Sequence, residues 1–211
     1  MSDKAKGIIL IGAPGSGKGT QAKKMKAELG YAHISTGDLL RAAVKEGTPL
    51  GLQAKSFMDS GALVPDELVI GLLKEAIGAP EADKGFILDG FPRTIPQARA
   101  LDAEVTVDKV VDLQVPYELL EERVTGRRMS PSGHVYHLEY NPPKVAGKCD
   151  VTGEDLYQRS DDTPEKVKER WDKFLSETKP VIAHYGESGI VVEVDGVGEP
   201  DEIFARIMAA L

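Results

Sequence analysis

The stretch Gly12-Ala13-Pro14-Gly15-Ser16-Gly17-Lys18-Gly19-Thr20 carries the spacing G-x-x-x-x-G-K. Gly15, Gly17 and Gly19 let backbone N–H groups close on the oxygens of an anion, and Lys18 adds a full positive charge, so the chemistry offered is phosphate binding. One position departs from the usual pattern. Gly19 follows Lys18 where a magnesium-binding Ser or Thr is customary, and Thr20 comes one residue late. A second group is Leu88-Asp89-Gly90-Phe91-Pro92-Arg93-Thr94. Asp89, at the end of an apolar run, is placed to act on Mg2+ directly or through bound water, or else to cap the turn that follows. Arg93, on a segment stiffened by Pro92 and Pro96, suits bidentate contact with a phosphate. Arg123 and Arg127, four apart at the end of a predicted helix, share one face. Arg159 and Arg170 follow further on. Each arginine taken singly reads as a solvated surface residue; only their arrangement suggests a transferring phosphoryl group.

The elements that must position these residues alternate along the chain. The run Gly7 to Gly12, the glycine turn and the stretch Gly17 to Leu29 read as strand, loop and helix. Further buried strands are predicted at Gly85 to Leu88, Lys109 to Val115 and Ile190 to Val194. Helices are predicted at Asp66 to Ile77, Tyr117 to Gly126, Pro164 to Tyr185 and Pro200 to Leu211. This alternation indicates an α/β fold, a parallel sheet with helices on both faces. Residues 35 to 64 read as a helical insertion without a strand. Residues 127 to 162 are polar and rich in Gly, Pro and Tyr, with short runs such as His134-Val135-Tyr136-His137, and read as a β-rich insertion of the length that active-site lids have.

The chain has 211 residues, enough for one hydrophobic core with insertions, and a formal net charge of -8. That charge disfavours nucleic acid and anionic membranes as partners of the whole surface, but not small anions held by a local cluster of Arg and Lys. The single cysteine, Cys149, forms no internal disulfide, and the N-terminal apolar run is too short for a signal sequence or a membrane span, so a cytoplasmic location is expected.

Read together, GAPGSGKGTQA, ISTGDLLRAA, GALVPDELV, LDGFPRTIPQA, GRR followed by HVYH, YNPPK and DVTGEDLYQRSDD resemble the adenylate kinases, in the bacterial form with a long lid. The likeness runs through nearly the whole chain in the family's order. It implies the P-loop nucleoside monophosphate kinase fold, a parallel five-stranded sheet flanked by helices. Residues 1–34, 65–125 and 163–211 would be the core, 35–64 a helical monophosphate-binding domain, and 126–162 a β-rich lid. It also implies reversible phosphoryl transfer from MgATP to AMP, giving two ADP, by a monomer. Mg2+ would arrive with ATP. By the same resemblance AMP would be held by Thr36, Arg41, Ala62, Leu63, Val64, Gly90, Phe91, Pro92, Arg93 and Gln97, whose amide reads the adenine edge. The ATP side would use Gly15, Ser16, Gly17, Lys18, Gly19, Thr20, Arg123, Arg127, Val135 and Tyr136, with the backbone near Gly198 beside the adenine. Arg159 and Arg170 would reach the AMP phosphate and the transferring group. Catalysis would then rest on Lys18, Arg93, Arg127, Arg159 and Arg170, with Asp89 orienting the waters of Mg2+ and Thr20 contacting phosphate.

The lid departs from the zinc-holding form of the family, in which four ligands, commonly cysteine pairs, bind the ion. Cys149 with His134 or His137 supplies only two or three donors, and no structural zinc is expected. A hydrogen-bonded cluster of Ser130, Ser132, Cys149, Asp150 and Thr152 would replace the metal. Trp171 and Phe174 are read as core residues, and Gly37, Gly61, Gly126 and Gly133 as places that absorb motion. The competing readings are a kinase for UMP, CMP or GMP, and a nucleotide-binding module without catalysis. The second predicts loss of Lys18 or of the arginines, all of which are present.

Overall fold

The computed structural model describes residues 6–59 and 64–211. Five parallel strands form the central sheet in the order β2, β3, β1, β4, β7: β1 (Lys6–Gly12), β2 (Ala32–Ser35), β3 (Phe86–Asp89), β4 (Thr106–Gln114) and β7 (Val191–Asp195). The small sheet is an antiparallel pair, β5 (Arg127–Met129) and β6 (Val135–His137). The helices are α1 (Lys18–Leu29), α2 (Thr36–Glu46), α3 (Pro49–Asp59), α4 (Asp66–Ile77), α5 (Ile95–Glu104), α6 (Tyr117–Thr125), α7 (Pro164–Lys173), α8 (Lys179–Gly186) and α9 (Pro200–Ala210).

Successive side chains of a strand point to opposite faces, and here both faces are dry. Ile9, Ile11, Phe86, Leu88 and Val110 pack with Leu73, Leu101, Val181 and Tyr185 from α4, α5 and α8. Ile8, Leu10, Ile87, Val111 and Leu113 pack with Met25 of α1 and with Ile203 and Ile207 of α9. This is why the inner strands read as unbroken apolar runs rather than as an alternation. All five strands run the same way, so the loops after β1, β2, β3, β4 and β7 meet at one edge, the usual place for a ligand in an open α/β sheet.

Four sequence expectations change. The strand β2 lies in a segment given no strand above; its four residues gain that form from pairing with β3, Ser35 standing opposite Asp89. Helix α5 was hidden by Pro96, which was read as stiffening a loop; Pro is tolerated in a helix's first turn, where its missing N–H has no intrahelical role, and Thr94 caps the start by accepting from the Gln97 N–H at 3.3 Å. The predicted helix Pro164 to Tyr185 is broken into α7 and α8 by a π-helical turn at Phe174–Thr178. Pro180 cannot donate to the turn before it, and the wider turn makes room for its ring. Finally, Arg127 does not share a helix face with Arg123. α6 ends at Thr125, and a Cβ on Gly126 would lie 2.2 Å from His137 Nε2, so the chain turns there and Arg127 begins β5.

Candidate active site

The phosphate loop joins β1 to α1. Gly15 and Gly17 have φ of 88° and 94°, in the left-handed region that glycine enters without strain, and Ser16 N–H donates to the Ala13 carbonyl at 3.1 Å. Helix α1 has no side-chain cap and no acidic residue in its first turn. Its N-terminal N–H groups and dipole therefore remain for a ligand's negative charge. Lys18 folds back over the loop, and its Nζ donates to the carbonyls of Gly12 at 2.8 Å and Ala13 at 2.9 Å.

Asp89 ends β3 beside this loop. Its carboxylate is 3.4 Å from where a Cβ on Gly19 would stand, an ordinary contact distance, so Gly19 leaves a small gap against Asp89 rather than relieving a clash. His33 Nε2 lies 3.5 Å from Asp89 Oδ2 and is buried without a hydrogen-bond partner. After β3, Gly90 takes φ 82°, the Phe91–Pro92 peptide is cis, and the Gly90 carbonyl accepts from Thr36 Oγ1 at 3.0 Å and from Arg93 Nε at 2.7 Å. Phe91 is buried in the core, so that residue offers the site only backbone. Gln97 is also buried. Its Oε1 accepts from the Arg93 N–H at 2.7 Å and its Nε2 donates to Asp66 Oδ1 at 2.6 Å.

The arginines come from three directions. Arg127 makes a two-point pair with Asp162, whose side chain is fully buried, and Arg170 reaches Asp161 at 3.1 Å and Asp162 at 3.8 Å. Arg41 pairs with Asp38 in α2. The charges are close enough to disturb one another. Burial, against the opposing pull of Asp89, brings Lys18 down to about 8, with Arg93, Arg170 and Arg127 contributing. Arg93 falls to about 10 through desolvation and the charge of Arg170, although its guanidinium still opens onto the cleft, and Arg159 falls to about 10 through burial, Arg41 and Arg127. Arg170 is lowered by burial and Arg127, with Asp161 opposing. Arg159 Nε is a further buried donor without a partner. A cleft that gathers cations and leaves one of their donors unpaired is built for polyanions.

Other sequence candidates stand apart. Arg123 donates to the Gly196 carbonyl at 3.1 Å, in the loop after β7. Val135 is exposed, whereas Tyr136 turns inward, its hydroxyl near Cys149 Sγ at 3.4 Å and accepting from the Asp150 N–H at 2.7 Å. Thr20 is exposed at the start of α1, and Val64 is buried. Ala62, Leu63 and Gly61 lie outside the described residues. In the insertion that carries β5 and β6, Ser130 bonds Ser132 at 2.9 Å, but the hub is Glu154, which accepts from Ser132 Oγ and from Thr152 Oγ1 at 2.7 Å; the Asp150 carboxylate instead accepts from the Lys144 N–H at 2.8 Å. Trp171 and Phe174 stack on each other and pack on the cluster around Leu120.

Sequence reasoning missed Asp161, Asp162, Asp38 and Asp66, the carboxylates that hold the arginines and Gln97. Adjacency was the available signal for Asp38 alone, which precedes Arg41 by one helical turn; Asp161 and Asp162 pair with Arg127 and Arg170, which spacing along the chain does not reveal.

The chain is similar to known proteins along nearly its whole length. The family model for adenylate kinase matches residues 10–190. An adenylate kinase of Carboxydothermus hydrogenoformans is 51% identical over 210 residues, 97% of this chain and 98% of the relative. One from Shouchella clausii is 52% identical over 210 residues, covering 97% of each chain.

Proposed function

This chain belongs to the adenylate kinase family, and on that premise we propose how its own residues carry the reaction. The reaction is reversible transfer of the γ-phosphoryl group of ATP to AMP, giving two ADP, which makes the protein a phosphotransferase of adenine nucleotide homeostasis. The observation that carries the roles is the convergence of Lys18, Arg93, Arg127, Arg159 and Arg170 on one cleft, each of four of them holding its proton less tightly than usual. Two polyanions meeting head to head offset that repulsion, and the same cations offset theirs.

On this reading Gly15 to Thr20 wrap the β-phosphate with backbone N–H groups and the Thr20 hydroxyl. Lys18 leaves the carbonyls of Gly12 and Ala13 to hold the β- and γ-phosphates. Arg93, held at the Gly90 carbonyl, takes the AMP phosphate with Arg41, and Arg127, Arg159 and Arg170 balance charge on the transferring group. The AMP oxygen attacks in line and no protein nucleophile is needed, so positioning and charge supply the catalysis. Gln97 reads the adenine of AMP by exchanging Asp66 for the base, beside Thr36 and the segment Ala62 to Val64. Val135 and Tyr136 serve the ATP side through their backbone.

Among the described residues no group of three or more His, Cys, Asp or Glu could cage a metal. One carboxylate, Asp89, facing a gap at Gly19 fits Mg2+, which keeps most of its waters and takes its remaining ligands from phosphates. When bound with ATP, the ion offsets phosphate charge; Asp89 would hold its waters. Residues 35–64 and 126–162 act as a monophosphate-binding domain and a lid around the core 1–34, 65–125 and 163–211, closing to keep water from the phosphoryl group. Lys23 Nζ already reaches the Gly133 carbonyl of the lid at 3.3 Å. We take the working form as a monomer in the cytoplasm. Among the described residues no helix is long and apolar enough to cross a membrane.

A coupled ADP assay with MgATP and a panel of monophosphates tests this reading. AMP should exceed UMP, CMP and GMP by about 100-fold or more in kcat/KM, since a site that hydrogen-bonds one base edge leaves buried groups unpaired with another. Comparable turnover of UMP or CMP would overturn the assignment of Gln97.

A further inference from the structure

The loop between β7 and α9 forms one wall of a cavity of about 580 Å3 at the C-terminal ends of β4 and β7, lined among others by Val115, Asp195 and Val197. It abuts the phosphate loop, since a Cβ on Gly196 would lie 3.6 Å from the Ser16 carbonyl oxygen. Almost every backbone group of the loop has a partner. The carbonyls of Asp195 and Val197 both accept from Arg206 Nη1, at 2.9 and 2.6 Å. The Gly196 carbonyl accepts from Arg123, that of Glu199 from the Ile203 N–H at 3.1 Å, and that of Pro200 from Gln21 Nε2 at 3.0 Å. The N–H of Gly196 donates to the Gln114 carbonyl, that of Val197 to Asp195 Oδ1, and that of Glu199 to Glu202 Oε2. Gly198 alone in this loop, among the described residues, keeps both its N–H and its C=O without a partner, at a φ of 122° that favours glycine.

We propose that Arg206 is a positioning residue for base selection on the triphosphate side: by occupying the carbonyls of Asp195 and Val197 it leaves the Gly198 amide as the polar pair presented to the nucleobase. The inference rests on the ATP-side reading above. A 6-aminopurine offers an amino donor beside a ring-nitrogen acceptor, which match a C=O and an N–H; a 6-oxopurine offers the reverse pattern. With Arg206 gone, two carbonyls are released and the loop gains other ways to face the base, so affinity for ATP falls and discrimination against GTP narrows. Arg206 is 40% exposed and its guanidinium donates to two carbonyls of the loop, so its effect passes through the geometry of the loop.

Calorimetric binding of ATP, GTP and AMP to the full chain, to Arg206→Ala and to Arg206→Lys, with a melting curve for each, is the test. Loss of charge-assisted bonds to the loop should weaken ATP by about tenfold in the Ala variant. AMP affinity should hold, the ATP-to-GTP ratio should shrink, and Lys, which reaches one carbonyl, should restore part of both. A folded Ala variant with the wild-type ratio, or an equal loss for AMP, would overturn the proposal. Should Ala fail to fold, Arg206→Lys and Arg206→Gln carry the same comparison. A wild-type chain that binds no ATP would sink the ATP-side reading, a result the unmutated control separates from failure of the Arg206 role.

Discussion

Lys18 spends its donors on its own loop and holds its proton at about 8, against 10.5 for an ordinary lysine, because burial and three arginines oppose its charge. Between those values the folded, unliganded chain has lost a proton that the unfolded chain retains, so this group makes stability rise with pH across that window and contributes no slope below it. A bound polyphosphate reverses the preference, since it needs the cation. Affinity for ATP in the absence of AMP should therefore fall between pH 7.5 and 9.5, by up to about tenfold per unit beyond the folded value. Calorimetry should find that slope in the wild type and not in Lys18→Gln; a flat wild-type profile would remove Lys18 from the phosphates. Lys18, Asp89 and Arg93 were legible in the sequence because each stands at a fixed distance from a glycine turn after a buried strand. Asp161 and Asp162 were not, because a carboxylate earns its role here by its partner's position in space. Nor was the orphaned Nε2 of His33, which only the packing of β2 beside β3 creates.

At the level of elements, the lid shows how hydrogen bonds hold a small sheet. Glu154 draws together Ser132 and Thr152, and their donation keeps its carboxyl below the usual glutamate value. A carboxylate with a depressed folded pKa contributes stability above its unfolded value of 4.5, and that contribution is lost as pH falls through the folded one. Amide exchange in residues 127–159, corrected for intrinsic rates, should show local opening that is flat from pH 6 to pH 5 and grows as pH falls below about 4.5. Glu154→Gln should open the lid at pH 6 and flatten the trend, and a chelator should change neither; protection lost on chelation would show that a metal holds the lid. The lid's β character could be read from composition, whereas its hub could not, because Ser130, Ser132, Thr152 and Glu154 are brought together only by the turns between them. The same holds for β2 and α5. β2 is four residues whose extension depends on β3, and α5 carries in its first turn a proline that reads as a break unless the helix start is recognised. The four other core strands were legible, since burial on both faces demands a run of apolar residues.

For the whole molecule, a net charge of -8 coexists with a cleft where cations crowd, so a surplus of carboxylates elsewhere does not relieve the site. Arg93 is the clearest case. Its guanidinium donates to the Gly90 carbonyl, and among the described residues no carboxylate lies within ion-pair distance, while desolvation and Arg170 weaken its hold on its proton. Such a residue costs stability when the cleft is empty and repays it only with a ligand present. Arg93→Met should therefore melt no lower than the wild type without nucleotide, while turnover falls on the order of 10³. Ligand response should separate the two chains further. AMP at about 100 times its wild-type Kd adds about 2.7 kcal/mol to the wild type. That is roughly 5–10 °C in Tm for a chain of this size. A variant binding AMP about 100-fold more weakly gains only about 0.4 kcal/mol at the same concentration, or roughly 1 °C. Scanning calorimetry with and without AMP reads both quantities. A drop of several degrees in the empty variant would make Arg93 a structural residue, and a full AMP shift in the variant would place the monophosphate elsewhere; a chain that keeps its stability and loses its response has given up only the charge that the reaction uses.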